Sequence, residues 1–151
     1  MLVDIVPVGE VPAHVKRAAS EGLRSVYGCD VTVHEPQPSP KDAYDKNIGI
    51  TAEDLFYRRR NYVFGLAYLD GSGSVVSTYR LQTSSDGGLA ETDDGDVFQN
   101  RIRKEIVHEI GHTMGLEHCD NKRCVMNFSP TVREVDVKEE TLCGTCQRQV
   151  L

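Results

Sequence analysis

The chain has 151 residues, 39% of them hydrophobic and 26% charged, with a net charge of −6 and a pI near 5.3. That length fits one domain with a core large enough to need no staples. The acidic balance argues against a general nucleic-acid binder, which carries a basic face, and no apolar run approaches the roughly 18 residues that span a bilayer.

In chain order, residues 2–8 (LVDIVPV) read as a first strand, short and β-branched. Residues 11–27 read as a helix, because Val15, Ala18, Ala19, Leu23 and Val26 keep helical spacing and Gly28 is a plausible stop. A second strand is expected over 30–34. EPQPSP, residues 35–40, is loop, since proline fixes φ and removes a donor. Residues 47–51 form a third strand and the aromatic-rich stretch 62–69 a fourth. GSGS at 71–74 then turns the chain into a fifth strand over 75–81. Residues 84–96 are polar and irregular, and a long helix follows over 97–114. Beyond it only short elements are expected. The order gives a mixed α/β (α+β) class with helices packed on a sheet of about five strands.

The MLVDIVPVGEVP start lacks the basic n-region of a signal peptide. A cytoplasmic protein is therefore expected. In that reducing compartment its five cysteines read as metal ligands or free thiols before disulfides.

The long helix carries the chemistry. Phe98, Ile102, Ile106 and Ile110 step by four and make one apolar stripe. His108 lies about 200° around from Ile106, and His112 follows it by one turn on the same face. That spacing lets two imidazoles reach one Zn²⁺. Taken alone, such a pair is equally well explained as a polar helix face. Gly115, three residues on, can take φ > 0 and reverse the chain. The reversal brings His118 toward the same metal. Three imidazoles leave a fourth vertex for water, the mark of a catalytic rather than a structural zinc. Glu109, directly after the first ligand, is placed to take the proton from that water and return it to a leaving amine.

Cys119, Cys124, Cys143 and Cys146 supply four thiolates, which suit a closed tetrahedral Zn²⁺. In a reducing compartment this reading outranks two disulfides. A redox CxxC should open a helix after a strand in a βαβ unit, which is not expected here. A thiolate-held zinc would order the tail and fix His118 through its neighbour Cys119. Cys29 is left over as a small buried residue. His14 and His34 read as surface or satisfied core histidines. Arg58, Arg59 and Arg60 form a solvated charge run, or a site for an acidic peptide group. Asp93, Asp94 and Asp96 cap the long helix, or one of them holds a substrate amino terminus.

With His108-Glu109, His112, Gly115, His118-Cys119, Cys124, Met126, Cys143 and Cys146 in place, the chain resembles the archaemetzincins of the metzincin clan. Their pattern is HExxHxxGxxH with a cysteine directly after the third histidine, then Cx4CxM and CxxC. Sixteen residues separate Met126 from Cys143, one fewer than in the family pattern. The resemblance implies a metzincin-like twisted sheet with an antiparallel edge strand and an active-site helix, residues 1–115 forming an upper subdomain. Residues 116–151 would form a C-terminal subdomain held by the cysteine zinc.

It implies further that Met126 lies in a turn beneath the catalytic zinc without ligating it. Where some clan relatives place a tyrosine two residues after this methionine, the chain has Phe128, which has no hydroxyl. The resemblance also assigns the stretch 75–80 to the edge strand that pairs with an extended peptide, making Val76, Ser77, Tyr79 and Arg80 candidate substrate contacts. The function so implied is a zinc metallopeptidase using two Zn²⁺, one catalytic and one structural. It would act as a monomer on peptides, with an aminopeptidase-like preference for short substrates as the narrower reading, and with neither nucleic acid nor membrane as partner. The alternative is a zinc-containing peptide-binding protein with little turnover, though pure binding does not need Glu109. A third reading is an interaction module built on the four cysteines.

Overall fold

The structure is a computed structural model that describes residues 1–33, 45–57, 62–83 and 95–151. Five strands form one sheet: β1 (Leu2–Val8), β2 (Asp30–Val33), β3 (Lys46–Thr51), β4 (Gly65–Ala67) and β5 (Gly73–Ser77). Their spatial order is β2-β1-β3-β5-β4, with β4 antiparallel to β5 and the remaining pairs parallel. Helix α1 (Ala13–Tyr27) connects β1 to β2, as a parallel crossover requires. Gly28 ends it in the left-handed region at φ 63°. Helix α2 (Asp96–Thr113) follows the sheet and packs on both α1 and the strands. Two short helices, α3 (Val132–Val137) and α4 (Gly144–Val150), complete the tail.

The alternation in the strands directs Val3 and Ile5 of β1, Ile48 and Ile50 of β3 and Val76 of β5 into one core. Val15, Ala18, Ala19 and Leu23 of α1 meet them from the helical layer, as do Phe98, Ile102, Ile106 and Ile110 of α2. Each buried large aliphatic contributes roughly 1.5–3 kcal/mol. The tail's Cys124, Val125, Met126, Val132, Val135 and Cys146 belong to this same buried cluster. Arg101, buried in α2, reaches Asp136 through two bonds of 2.7 and 2.8 Å. It also donates to the carbonyls of Leu81 and Thr83, so one side chain ties α2 to α3 and to the 3₁₀ turn Arg80–Gln82.

Three expectations need correction. The strand expected over 62–69 is confined to Gly65–Ala67, preceded by a single bridge between Val63 and Leu55. The strand expected over 75–81 ends at Ser77, because Arg80–Gln82 winds into the 3₁₀ turn. Most consequentially, β5 is not the edge strand: it lies between β3 and β4, and the edge is β4. Chain alternation identifies strands but does not order them in a sheet.

Candidate metal centres and cleft

Helix α2 carries His108 and His112 one turn apart and ends where Gly115 takes φ 95°, a conformation costly for a residue with a Cβ. The amides of Gly115 and Leu116 donate back to the carbonyls of His112 and Gly111, closing the reversal. The returning chain lays His118 beside the other two rings. Ring centroids stand 4.7 Å (His108–His112), 5.3 Å (His108–His118) and 4.8 Å (His112–His118) apart. One nitrogen from each ring lies within 4.8 Å of the others.

Hydrogen bonds fix the tautomers. Nδ1 of His108 is 2.7 Å from the Val125 carbonyl, and Nδ1 of His112 is 2.7 Å from the Leu116 carbonyl. A carbonyl only accepts, so each Nδ1 carries the proton. The two Nε2 atoms then face one another at 3.1 Å with lone pairs. Burial holds both rings below the ordinary imidazole range, His108 the more strongly with Lys138 and His112 beside it. Two neutral lone pairs so placed repel unless a cation lies between them. Nitrogens about 2.0–2.1 Å from one tetrahedral zinc would stand about 3.3–3.4 Å apart, close to the spacing found. The donor set fits a zinc ion.

Glu109 is buried at the inner wall of the same cleft. Burial pushes its carboxyl well above the usual carboxylate range; Glu105 pushes in the same direction and Lys138 opposes. Across from it, a Cβ on Gly65 would lie 2.8 Å from Glu109 Cγ, 2.9 Å from its Oε1 and 2.8 Å from the Val75 carbonyl. The edge strand thus presents bare backbone to the carboxylate. One turn earlier on α2, Glu105 also lines the cleft and meets Lys138 Nζ at 2.9 Å, both side chains almost wholly enclosed. The approach to Oε1 is off the direction of a hydrogen bond, so the contact is an ion pair.

The second cluster gathers Cys119, Cys124, Cys143 and Cys146, with sulfurs all within 4.8 Å of one another and no disulfide. The Cys119 and Cys143 sulfurs are 3.8 Å apart, far beyond a disulfide bond and equal to the edge of about 3.8 Å that four Zn–S bonds of about 2.3 Å impose. The Cys143 amide donates to the Cys124 sulfur at 3.3 Å. The Cys146 backbone N–H, directed at the Cys143 sulfur, draws that thiol down to about 7, with the neighbouring thiols adding to the effect. The donor set fits a closed zinc site. Cys143 does open helix α4, half of a redox signature, but a turn rather than a strand precedes it.

Met126 is fully enclosed and lies against Gly111, one residue before His112. Phe128 stands 5.2 Å from the His118 ring at the cleft mouth. The cleft, about 620 Å³, runs between the edge strand and α2 on one side and the tail on the other. Tyr57, Tyr62, Phe64, Leu66, Leu69 and Phe128 give it apolar walls; Glu105, Glu109 and Glu117 are its acids. No lysine or arginine lines it among the described residues.

The predicted substrate contacts, unlike the histidines and the four cysteines, are not brought together in one cluster. Val76 and Ser77 are buried in β5; Val76 is paired on both sides, and Ser77 pairs with Thr51 while its amide donates to the Phe64 carbonyl at 2.8 Å. Arg80 is clasped by Asp54 at 2.8–3.3 Å and stacks 4.4 Å over the Tyr62 ring. Tyr79 is exposed away from the cleft lining. The edge position passes to Gly65–Ala67. Asp96 sits in the first turn of α2, twelve residues and about 18 Å along the axis from His108. The helix cap itself is Gly95, with no side-chain cap bond. His14 stands edge-on to Phe98, and Cys29 is buried. His34, Arg58, Arg59, Arg60, Asp93 and Asp94 lie outside the described residues. Sequence reasoning missed Glu105, although its place four residues before Glu109 puts it on the same helix face. Lys138 and Asn127 carried no such signal.

The model of Peptidase family M54 matches residues 23–151. The chain is 65% identical to the archaemetzincin of Natronomonas pharaonis and 66% identical to that of Haloarcula marismortui, each alignment covering all of both chains. Among solved structures it is similar to the archaemetzincin of Archaeoglobus fulgidus complexed with malonate. There the TM-score is 0.82 and the identity 30%, over 99% of this chain and all of that one. A zinc-dependent peptidase from Methanocorpusculum labreanum gives the same TM-score at 28% identity and the same coverage.

Proposed function

Because the chain belongs to peptidase family M54, the archaemetzincins, and is therefore a zinc metallopeptidase, we propose that His108, His112 and His118 hold its catalytic zinc and that Glu109 is its general base and acid. The observation that carries this assignment is the facing pair of neutral imidazole nitrogens at 3.1 Å, with Glu109 adjoining on one cleft wall. A zinc ion bound there supplies a Lewis acid that polarises the peptide carbonyl and acidifies water.

The remaining steps belong to side chains of the protein. Burial makes Glu109 a stronger base than a solvated glutamate, suited to taking a proton from the attacking water. The same carboxyl then returns the proton to the departing amine. The exposed main chain of Gly65–Ala67 pairs with an extended substrate, and the missing Cβ at residue 65 lets that backbone pass close to Glu109. Cys119, Cys124, Cys143 and Cys146 hold a second, structural zinc. Residues 1–115 and 116–151 act as the two halves flanking the cleft.

Short peptides with a free amino terminus are the preferred substrates in this reading. Its support is a cleft with acidic groups and no basic side chain among the described residues. The test is digestion of a peptide library by the wild type and by Glu109→Ala, with zinc measured in both. Cleavage lost in the variant while zinc stays bound supports the assignment. Peptide binding without cleavage by either protein would favour a binding module instead. Products trimmed singly from the amino end identify the aminopeptidase; internal cuts reject it.

A further inference from the structure

Among the described residues Lys138 is the largest fully enclosed side chain, yet it carries an ammonium group. It stands at the C-cap of α3, where its amide donates to Glu134. Its Nζ meets Glu105 of α2 at 2.9 Å and donates to the Asn127 carbonyl at 3.3 Å. Asn127 in turn donates through Nδ2 to the Cys119 carbonyl at 2.8 Å. The Cys119 amide donates to the Met126 carbonyl at 3.0 Å. Both main-chain groups of the residue after His118 are thereby held by the turn 125–127. That same turn receives the His108 Nδ1–H through the Val125 carbonyl.

A buried ion pair is a poor device for stability, since well-packed apolar replacements are often neutral or stabilising. Arg101–Asp136 already joins α2 to α3 with a bidentate clasp. What Glu105 and Lys138 add is direction: they fix the turn 125–127 against α2 one turn before His108. We infer that Glu105, Lys138 and Asn127 form a polar strut that sets the position of His118 relative to His108 and His112, so that Lys138 is a positioning residue for the catalytic metal. The inference rests on the histidine assignment above.

The test replaces the pair by apolar residues of similar size, Glu105→Leu with Lys138→Met, in the full chain. Co²⁺ is the probe, because its visible spectrum separates a nitrogen-ligated site from a thiolate one. Wild-type protein must first show a nitrogen-type cobalt band that is lost in His118→Ala; without it the histidine assignment fails, not the strut. The double variant is then expected to unfold at a temperature close to the wild type and to keep its thiolate-bound cobalt. It should bind cobalt about 10–100-fold more weakly at the nitrogen site, with an altered band there. With zinc restored in excess, kcat should fall. Unchanged affinity and spectrum at the nitrogen site would overturn the inference. So would a parallel loss of both metals and of thermal stability, which marks a merely structural pair. Should the double variant not fold, Asn127→Ala, which cuts the strut at Cys119, decides by the same two readings.

Discussion

A methyl group at residue 65 has nowhere to go. It would press on Glu109 and, within the same radius, on the rigid carbonyl of Val75. Gly65→Ala is therefore expected to cost about 1–3 kcal/mol of stability by overpacking. It should also displace the Glu109 carboxyl, so kcat should fall more than stability alone explains, at unchanged zinc content; denaturant unfolding and steady-state kinetics on one sample would show both. Glu109→Gln keeps the shape but removes the proposed base, and a loss of about 10²–10⁴ in kcat is expected with zinc retained. These two residues differ in how far the chain alone reveals them. Glu109 and the three histidines are set by intervals within one helix and its exit, so their spacing carries the geometry. The need for glycine at 65 arises from the approach of two segments more than forty residues apart, which no local pattern records.

Elements are held to the site by their ends. The carboxyl end of α2 is met by the β4–β5 hairpin: the Asp70 amide donates to the His112 carbonyl at 2.8 Å, and Lys46 donates to the carbonyls of Thr113 (2.8 Å) and Gly71 (2.6 Å). The hairpin that carries the edge strand is thus bolted to the end of α2 that bears His112. Helix α3 is fixed at its other end by a capping box, in which Thr131 accepts from the Arg133 amide and Glu134 takes the Thr131 amide and hydroxyl. Thr131→Ala should cost about 1 kcal/mol.

The pH dependence of this cap has a definite sign. The bond from Thr131 holds Glu134 below its ordinary value of 4.5. A depressed folded-state value contributes stability above the unfolded value and loses it as pH falls through the folded one. The difference in melting temperature between wild type and Glu134→Ala is thus expected to be full at pH 7 and to shrink below about pH 4.5; an unchanging difference down to pH 3 would reject it. At this scale the strands and both long helices were legible from periodicity, to within one or two residues at α2. The order of the strands was not, because alternation is the same in an edge strand and its neighbour. The strand expected over 62–69 runs past β4 because aromatic richness is not a ladder: Phe64 is buried just before β4, and Tyr68 is exposed just after it.

Across the whole molecule, the tail and the sheet share one core, yet the tail's own elements are six and seven residues long, too short to stand unaided. Four sulfurs gather its two ends, Cys119 and Cys124 with Cys143 and Cys146. Removing one thiolate should release the zinc proposed for this cluster and free the segment that follows α3. Cys143→Ser is expected to lose one zinc per chain. If the cost is about 3 kcal/mol, the melting temperature drops by roughly 6–12 °C. The consequence for chemistry follows from chain connectivity, since Cys119 is the covalent neighbour of His118. With the sulfur side untied, Cys119 still donates its amide to the Met126 carbonyl and accepts from the Asn127 side chain, and these bonds act on His118 through the chain. Catalytic zinc affinity should fall along with the structural site, whereas cutting the strut at Glu105 and Lys138 should weaken the histidine site alone. Zinc content and affinity measured for the two variants side by side separate these paths. Loss of the thiolate zinc with undiminished affinity at the histidines would mean that the two bonds between Cys119 and residues 126–127 suffice, and that the two centres share a core but not their metal affinities.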